Sequence, residues 1–374
     1  MRVLILDDDP WIADLLKQIV LSVRPSAQVD CFGEVQSAFA AWQQTRYQLV
    51  LADWNLPDAS GVSLLQQVRE QDREVPLVMI TGRSDRQSVM TVRPLGISAF
   101  ITKPFEVPRV AQCIEQLLPA DGNPRVSPDI QEDFASHLAG LAASALDLPL
   151  LAQVKEKLQL GYRGEQLDFR QLADDWQHDP ALCAHLLAAA NSATYAGAGQ
   201  QCTSLSDALK RLGARTSINL AIGFALKQSN TQSNLMLSVL VQSHLEASQR
   251  LAERVVALAQ QVGQEPAPLH TAALLHRIGE LCVIYQAQEW EDRGHSVSEN
   301  VLLQAVSDFA APLAIKLKAH WALPMVLREL IGAVYALPPT QVRREQVLMR
   351  LAAALNNAEP AASVDRLQRL AGLA

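Results

Sequence analysis

Asp7, Asp8, Asp53, Thr81 and Lys103 are side chains of the types that phosphorus chemistry needs. Crowded carboxylates repel one another and call for a cation, and hard Mg²⁺ prefers oxygen ligands while keeping several waters. Asp7, Asp8 and Asp53, with a backbone carbonyl near Asn55, make such a ligand set. With a metal present, a carboxylate such as Asp53 can attack phosphorus and form an aspartyl phosphate. The Lys103 ammonium would offset charge building on the phosphoryl oxygens, and the Thr81 hydroxyl would hydrogen-bond one of them.

The elements that must position these groups are legible as four apolar runs. Met1–Leu6 leads into Asp7-Asp8-Asp9, and Leu49–Ala52 into Asp53, with Pro57 and Gly61 beyond. Val75–Ile80 leads into Thr81-Gly82, and Ala99–Thr102 into Lys103-Pro104. Each reads as a strand ending on a polar residue. In an open parallel sheet, ligands bind outside the carboxyl ends of the strands. Asp9 before Pro10 reads as a helix N-cap rather than a further ligand.

On these residues, positions 1 to about 120 resemble a response-regulator receiver domain. The acid pair, acceptor aspartate, Thr/Ser and Lys-Pro stand in the family's order. The resemblance implies a flavodoxin-like, doubly wound α/β domain with a five-stranded parallel sheet. It makes Asp53 the phosphoacceptor, with Thr81 and Lys103 on the phosphoryl group. Asp7, Asp8, Asp53 and the Asn55 carbonyl become the Mg²⁺ site, Thr81 and Phe100 become the switch pair, and the Lys103–Pro104 bond is expected to be cis.

Composition bounds the rest. At 374 residues two or three domains are expected. The net charge of −7 is spread among interspersed acidic and basic residues, and no basic tract or recognition helix suggests nucleic acid. No apolar run reaches the roughly 18 residues of a membrane span, and the chain enters a strand without a signal peptide. The five cysteines lack metal-like spacing. Together these favour a cytoplasmic protein with reduced thiols.

Pro119–Pro124 and Ser127-Pro128 form a turn-rich stretch, so the division expected is 1–120, a linker at 121–134 and a second domain at 135–374. Beyond the linker, strand alternation gives way to Ala/Leu-rich helical periodicity, which predicts an all-α domain. Asp179-Pro180 opens one helix, and Ser204-Leu-Ser-Asp207 forms a capping box on another that stops at Gly213. The stretch His178–Tyr195 with Thr203–Gly213 resembles the HDOD domain, the HD-related output domain of bacterial signalling proteins. Asp147–Leu151, Ala273–Gly279 and Trp321–Pro324 fit the same family in order.

HD-type phosphohydrolases hold metals with a His-Asp pair, and this chain has His276-Arg277 there. Arginine places a permanent positive charge where an anionic ligand is required. Near it, His244 reads as offset from the expected ligand position, and His276 as a hydrogen-bonded core residue. Arg343, Arg344 and Arg350 read as a solvated face. No cofactor is expected in the second domain.

Two functions stay open at this point. The first is a two-component response regulator phosphorylated by a sensor histidine kinase or phosphotransfer protein, with a non-catalytic HDOD scaffold. Its client would be a downstream signalling protein, with cyclic di-GMP signalling one setting and a phosphorylation-dependent homodimer one outcome. The alternative is a metal-dependent phosphohydrolase or cyclic-dinucleotide phosphodiesterase under receiver control.

Overall fold

The computed structural model describes residues 1–82, 92–118, 133–162, 168–197, 199–228, 235–293 and 295–373. The expected linker, and the segment following Thr81, fall mostly outside the described residues. The chain divides into two compact units. Unit 1 comprises Met1–Asp129, Glu156–Leu167 and Ala214–Ser229, and unit 2 the remaining segments.

Unit 1 is built on five parallel strands: β1 (Arg2–Leu6), β2 (Gln28–Phe32), β3 (Leu49–Asp53), β4 (Leu77–Thr81) and β5 (Ala99–Thr102). Their order is β2-β1-β3-β4-β5, the doubly wound arrangement with a switch point between β1 and β3. Strands covered on both faces should be apolar throughout, and every residue of β3 and β4 is buried. Helix α1 (Pro10–Val23) starts where Asp9 accepts from the Trp11 amide, the cap expected from the sequence. Helix α2 (Val35–Gln44) has no cap of its own; Asp58, from the loop after β3, accepts from Val35 and Gln36 instead. Helix α3 (Gly61–Gln71) is capped by Ser60.

A later segment completes this unit. The helix Ala214–Lys227 packs against α1, where Gly223 lies so close that a Cβ would come 2.7 Å from Leu15 Cδ1. Asn219 donates from Nδ2 to the Phe105 carbonyl at 2.7 Å, and the Tyr162 and Ser22 hydroxyls meet at 3.0 Å. The helical periodicity of the second half does not say which partner this segment buries against.

Unit 2 is helical throughout its described residues. Asp179, fully buried, caps the helix Pro180–Ala190 through the Leu182 amide and accepts from the Leu151 amide with its other oxygen. It thereby ties the Asp147–Leu151 segment to that helix. Ser204 accepts from the Asp207 amide and donates to its carboxylate, and Gly213, at φ 75°, ends the helix Leu205–Leu212. The helices Ile278–Asp292 and Glu299–His320 meet closely at Gly279, where a Cβ would come 2.0 Å from the Ala310 carbonyl oxygen.

The arginines read as a solvated face have structural work instead. Arg350 Nη2 donates to both carboxylate oxygens of Glu359 at 2.8 Å, and Arg344 donates to the Ala371 carbonyl, fastening the last helix, Ala361–Ala371. Arg343 pairs with Glu329. Their partners follow a chain reversal that helical periodicity does not reveal.

Candidate functional site

Strand register brings the polar strand ends of unit 1 together. Leu6 pairs with Ala52 and Asp53 with Ile80, so Asp7, Asp53 and Thr81 emerge at one edge. Thr81 lies opposite Thr102, and the Lys103 amide donates to the Thr81 carbonyl at 2.7 Å. The Lys103–Pro104 bond is cis. Phe100 is partly buried against the sheet's core.

Lys103 Nζ bridges the two carboxylates, 2.7 Å from Asp7 Oδ2 and 2.7 Å from Asp53 Oδ2. Asp53 Oδ1 accepts from the Trp54 amide at 2.5 Å. Asp7 and Asp53 are buried while Asp8 is exposed, and ligand oxygens of the three lie within 4.8 Å of one another. Burial, together with the Asp53 charge, pushes Asp7 up to about 6 although Lys103 opposes it. For Lys103, burial disfavours the ammonium, but Asp7 and Asp53 outweigh it and raise its pKa. The Asp7 shift is chiefly the cost of burying a carboxylate, with the Asp53 charge adding to it, and a cation at this site would oppose both.

The donor set is all oxygen, two carboxylates facing inward and one open to solvent. That composition fits Mg²⁺, which binds through few protein carboxylates and retains waters. Asn55 follows two residues after Asp53 and is held by a bridge to Ser60. Gly61 is required beside it, since a Cβ there would come 1.8 Å from the Asp53 carbonyl oxygen.

In unit 2 the His276-Arg277 pair lies in a tight turn, Leu275–Arg277, between two helices. His276 is buried and its Nδ1 lies 2.6 Å from the Ala273 carbonyl, the core arrangement expected from the sequence. His244 is a correction. Far from being offset, its Nδ1 lies 3.0 Å from Arg277 Nη1. The turn at 275–277 swings the arginine toward the helix Leu235–Gln261, which local spacing around His244 could not foretell. Among the described residues, the only cluster of three or more His, Cys, Asp or Glu with metal-binding proximity is Asp7, Asp8 and Asp53.

Sequence reasoning also missed the pair of Asp147 and His185, 3.0 Å apart and drawn from segments 38 residues distant. Asp147 is almost fully buried. Asp147 opens a segment that the HDOD resemblance marks, but nothing local pairs it with His185 until the fold joins them.

His276 makes unit 2 sensitive to acid. Burial, reinforced by the Arg277 charge, lowers its pKa to about 4. Its folded value lies below the unfolded one, so the unfolded chain takes up a proton that the folded chain refuses. Stability is retained above about pH 6.5 and lost as pH falls towards 4, by about 2 kcal/mol at pH 5. Asp179, raised to about 6 by burial, acts in the opposite direction. The test is therefore a difference: His276→Gln should flatten the decline in the unit 2 urea midpoint between pH 7 and 5. Parallel pH profiles for the two proteins would refute it.

A carboxylate–lysine crevice at the carboxyl ends of a 2-1-3-4-5 parallel sheet defines a receiver-type α/β domain, and the comparisons agree. The response regulator receiver domain matches residues 3–115 and the HDOD domain matches residues 148–337. The second match covers just over half of the chain, which therefore belongs to the HDOD family and carries a receiver domain at its N-terminal end.

Among curated proteins, the chain is similar to the probable C4-dicarboxylate response regulator DctR of Bacillus subtilis. Identity there is 24% over 115 residues, 31% of this chain and 51% of the relative. It is also similar to the chemotaxis protein CheY of Pseudomonas aeruginosa, 25% identical over 121 residues, 31% of this chain and 95% of CheY. The chain spans about half the length of the first curated relatives it matches. Among solved structures, a CheY-like receiver domain protein from Methanospirillum hungatei is 27% identical. It covers 31% of this chain and 90% of its own, with a TM-score of 0.29. Receiver domains bind Mg²⁺ through an acidic pocket of this kind and take their phosphoryl group from a histidine kinase or phosphotransfer partner. Among the described residues no helix is long and apolar enough to cross a membrane.

Proposed function

We propose that this two-component regulator is phosphorylated on Asp53 and that its HDOD unit is a non-catalytic module that binds a downstream signalling protein. The observation that carries the reading is the Lys103 ammonium held 2.7 Å from both Asp7 and Asp53. In this reading Asp53 is the nucleophile, and Lys103 moves from the carboxylates to the phosphoryl oxygens. Thr81 accepts a position beside them, and Phe100 turns with it. Asp7, Asp8, Asp53 and the Asn55 carbonyl would hold Mg²⁺, which would supply positive charge near the phosphoryl group. The division along the sequence into 1–120, 121–134 and 135–374 belongs to the same proposal, with the helix Ala214–Lys227 a part of the last stretch that packs in unit 1. So does a cytoplasmic setting, where kinases keep their nucleotide.

Phosphorylation adds about −1.5 to −2 charges at Asp53. Lys103 is two residues from Phe105, whose carbonyl receives the Asn219 amide. A shift of Lys103 therefore reaches the helix Ala214–Lys227 through one hydrogen bond within unit 1. This supports a population shift in which the state of Asp53 biases what the HDOD unit presents to its client, or the pairing of two copies.

The HDOD unit is read as a binder because Arg277 stands beside His276. A guanidinium cannot ligate a metal and repels one. The test compares wild type with and without beryllofluoride and Mg²⁺ against Asp53→Asn, reading sedimentation and capture of partners from a cell extract. A beryllofluoride-dependent change in wild type alone is expected. Identical behaviour in all samples would sink the proposal.

A further inference from the structure

Beside Arg277, unit 2 contains a crevice of about 210 Å³ whose walls include Arg250, His276, Glu280, Asn356 and Asn357. Arg277 is the group to account for. Its Nη1 meets His244 Nδ1 at 3.0 Å, and its Nε is buried with no partner among the described residues. That leaves most of a five-donor fork unused.

His244 does not supply a counter-charge. Burial, aided by Arg277, lowers its pKa to about 4, so near neutrality it is an uncharged acceptor. Glu280 lies on the same wall and is the one carboxylate there among the described residues; burial raises its pKa and the Arg277 charge lowers it, so it offsets part of the guanidinium's charge without hydrogen-bonding to it. Arg250 is largely solvent-facing and only loosely paired, its Nη1 3.8 Å from Glu246. A guanidinium hydrogen-bonded to an imidazole alone, with its Nε buried and unpartnered among the described residues, is costly to maintain. Arg277 therefore gives the crevice a cationic wall, Arg250 adds a second cation, and Asn356 and Asn357 line it with polar side chains.

We propose that this crevice is a metal-free oxyanion site that takes a phosphate group, free or as a phosphomonoester, on the Arg277 guanidinium. A guanidinium matches phosphate oxygens in a fork geometry that no metal need assist. Where an aspartate would make the pocket attract cations, arginine inverts its preference. The volume admits a phosphate with a small organic group. The site is independent of Asp53, and its failure would leave the phosphoacceptor reading untouched.

The test titrates inorganic phosphate, and separately adenosine 5′-monophosphate, into the full chain without Mg²⁺, by calorimetry near neutral pH. One equivalent should bind, and Arg277→Gln should weaken binding at least tenfold, with Arg277→Lys between the two. Glu280→Gln should bind as well as wild type or better, and Arg170→Gln, on the surface elsewhere, should bind like wild type. Should Arg277→Gln not fold, Arg250→Gln reads the same crevice, with a loss of several-fold expected. Tighter binding of the nucleotide than of phosphate assigns a monoester, and the reverse assigns the free ion; either supports the site. Absence of binding, or equal binding by wild type, Arg277→Gln and Arg250→Gln, overturns it.

Discussion

Lys103→Ala is expected to destabilise metal-free unit 1 by about 3–5 kcal/mol, the range for removing one partner of a buried ion pair. The side chain joins two carboxylates that are themselves buried, and both bonds are 2.7 Å long. Without the ammonium, Asp7 and Asp53 face one another with no counter-ion, and Asp7 loses the charge that now holds its pKa down. Saturating Mg²⁺ should restore much of the loss, since a divalent cation can take over the neutralising role. Urea unfolding with and without Mg²⁺ measures this directly, and a change below about 1 kcal/mol would contradict it. Transfer from a small phosphodonor should slow by about 10²–10³-fold in the same variant, the usual cost of deleting one oxyanion donor. Asp53→Asn should abolish incorporation outright. It should not weaken metal-free unit 1 comparably, because it removes a negative charge from the crowded pair.

Gly279→Val is expected to cost unit 2 more than about 3 kcal/mol, or its folding altogether, at the upper end for overpacking. The added carbon would meet the Ala310 carbonyl oxygen at 2.0 Å and its carbon at 2.7 Å, with Ala314 Cβ at 3.1 Å. Both near atoms are backbone, so no rotamer change can relieve the clash. The helices Ile278–Asp292 and Glu299–His320 would have to separate, uncovering residues such as Leu281, Leu302 and Leu313. A two-transition melt distinguishes the units, and the Mg²⁺-dependent transition of unit 1 should stay where it is. A variant melting within a degree or two of wild type would show that the helices can part cheaply.

The carboxylate–lysine crevice was legible because each strand announces its own end. An apolar run that stops on Asp7, Asp53, Thr81 or Lys103 places that side chain at the sheet edge, and parallel pairing then aligns the ends. Helix caps were legible for the same reason: Asp9, Asp179 and Ser204 bond to amides two or three residues away. Contacts between distant segments were not. His244 seemed offset because spacing along one helix says nothing about a turn 33 residues later that carries Arg277 back to it. Asp147 and His185 escaped notice likewise, and Arg344 and Arg350 looked idle until the last helix arrived beneath them.

The helix Ala214–Lys227 gives the packing at Gly223 a consequence in time as well as space. During synthesis, the five strands and α1 have all emerged long before residue 227 is made. At ribosomal rates of roughly 5–20 residues per second, the interval from residue 118 to residue 227 is on the order of ten seconds. Throughout it, the nascent α1 presents Leu15 without the helix that covers it in the finished protein. The first unit to begin folding is thus not complete until synthesis of the second is well under way. Its vulnerable window on the ribosome is set by how far along the message its last helix is encoded.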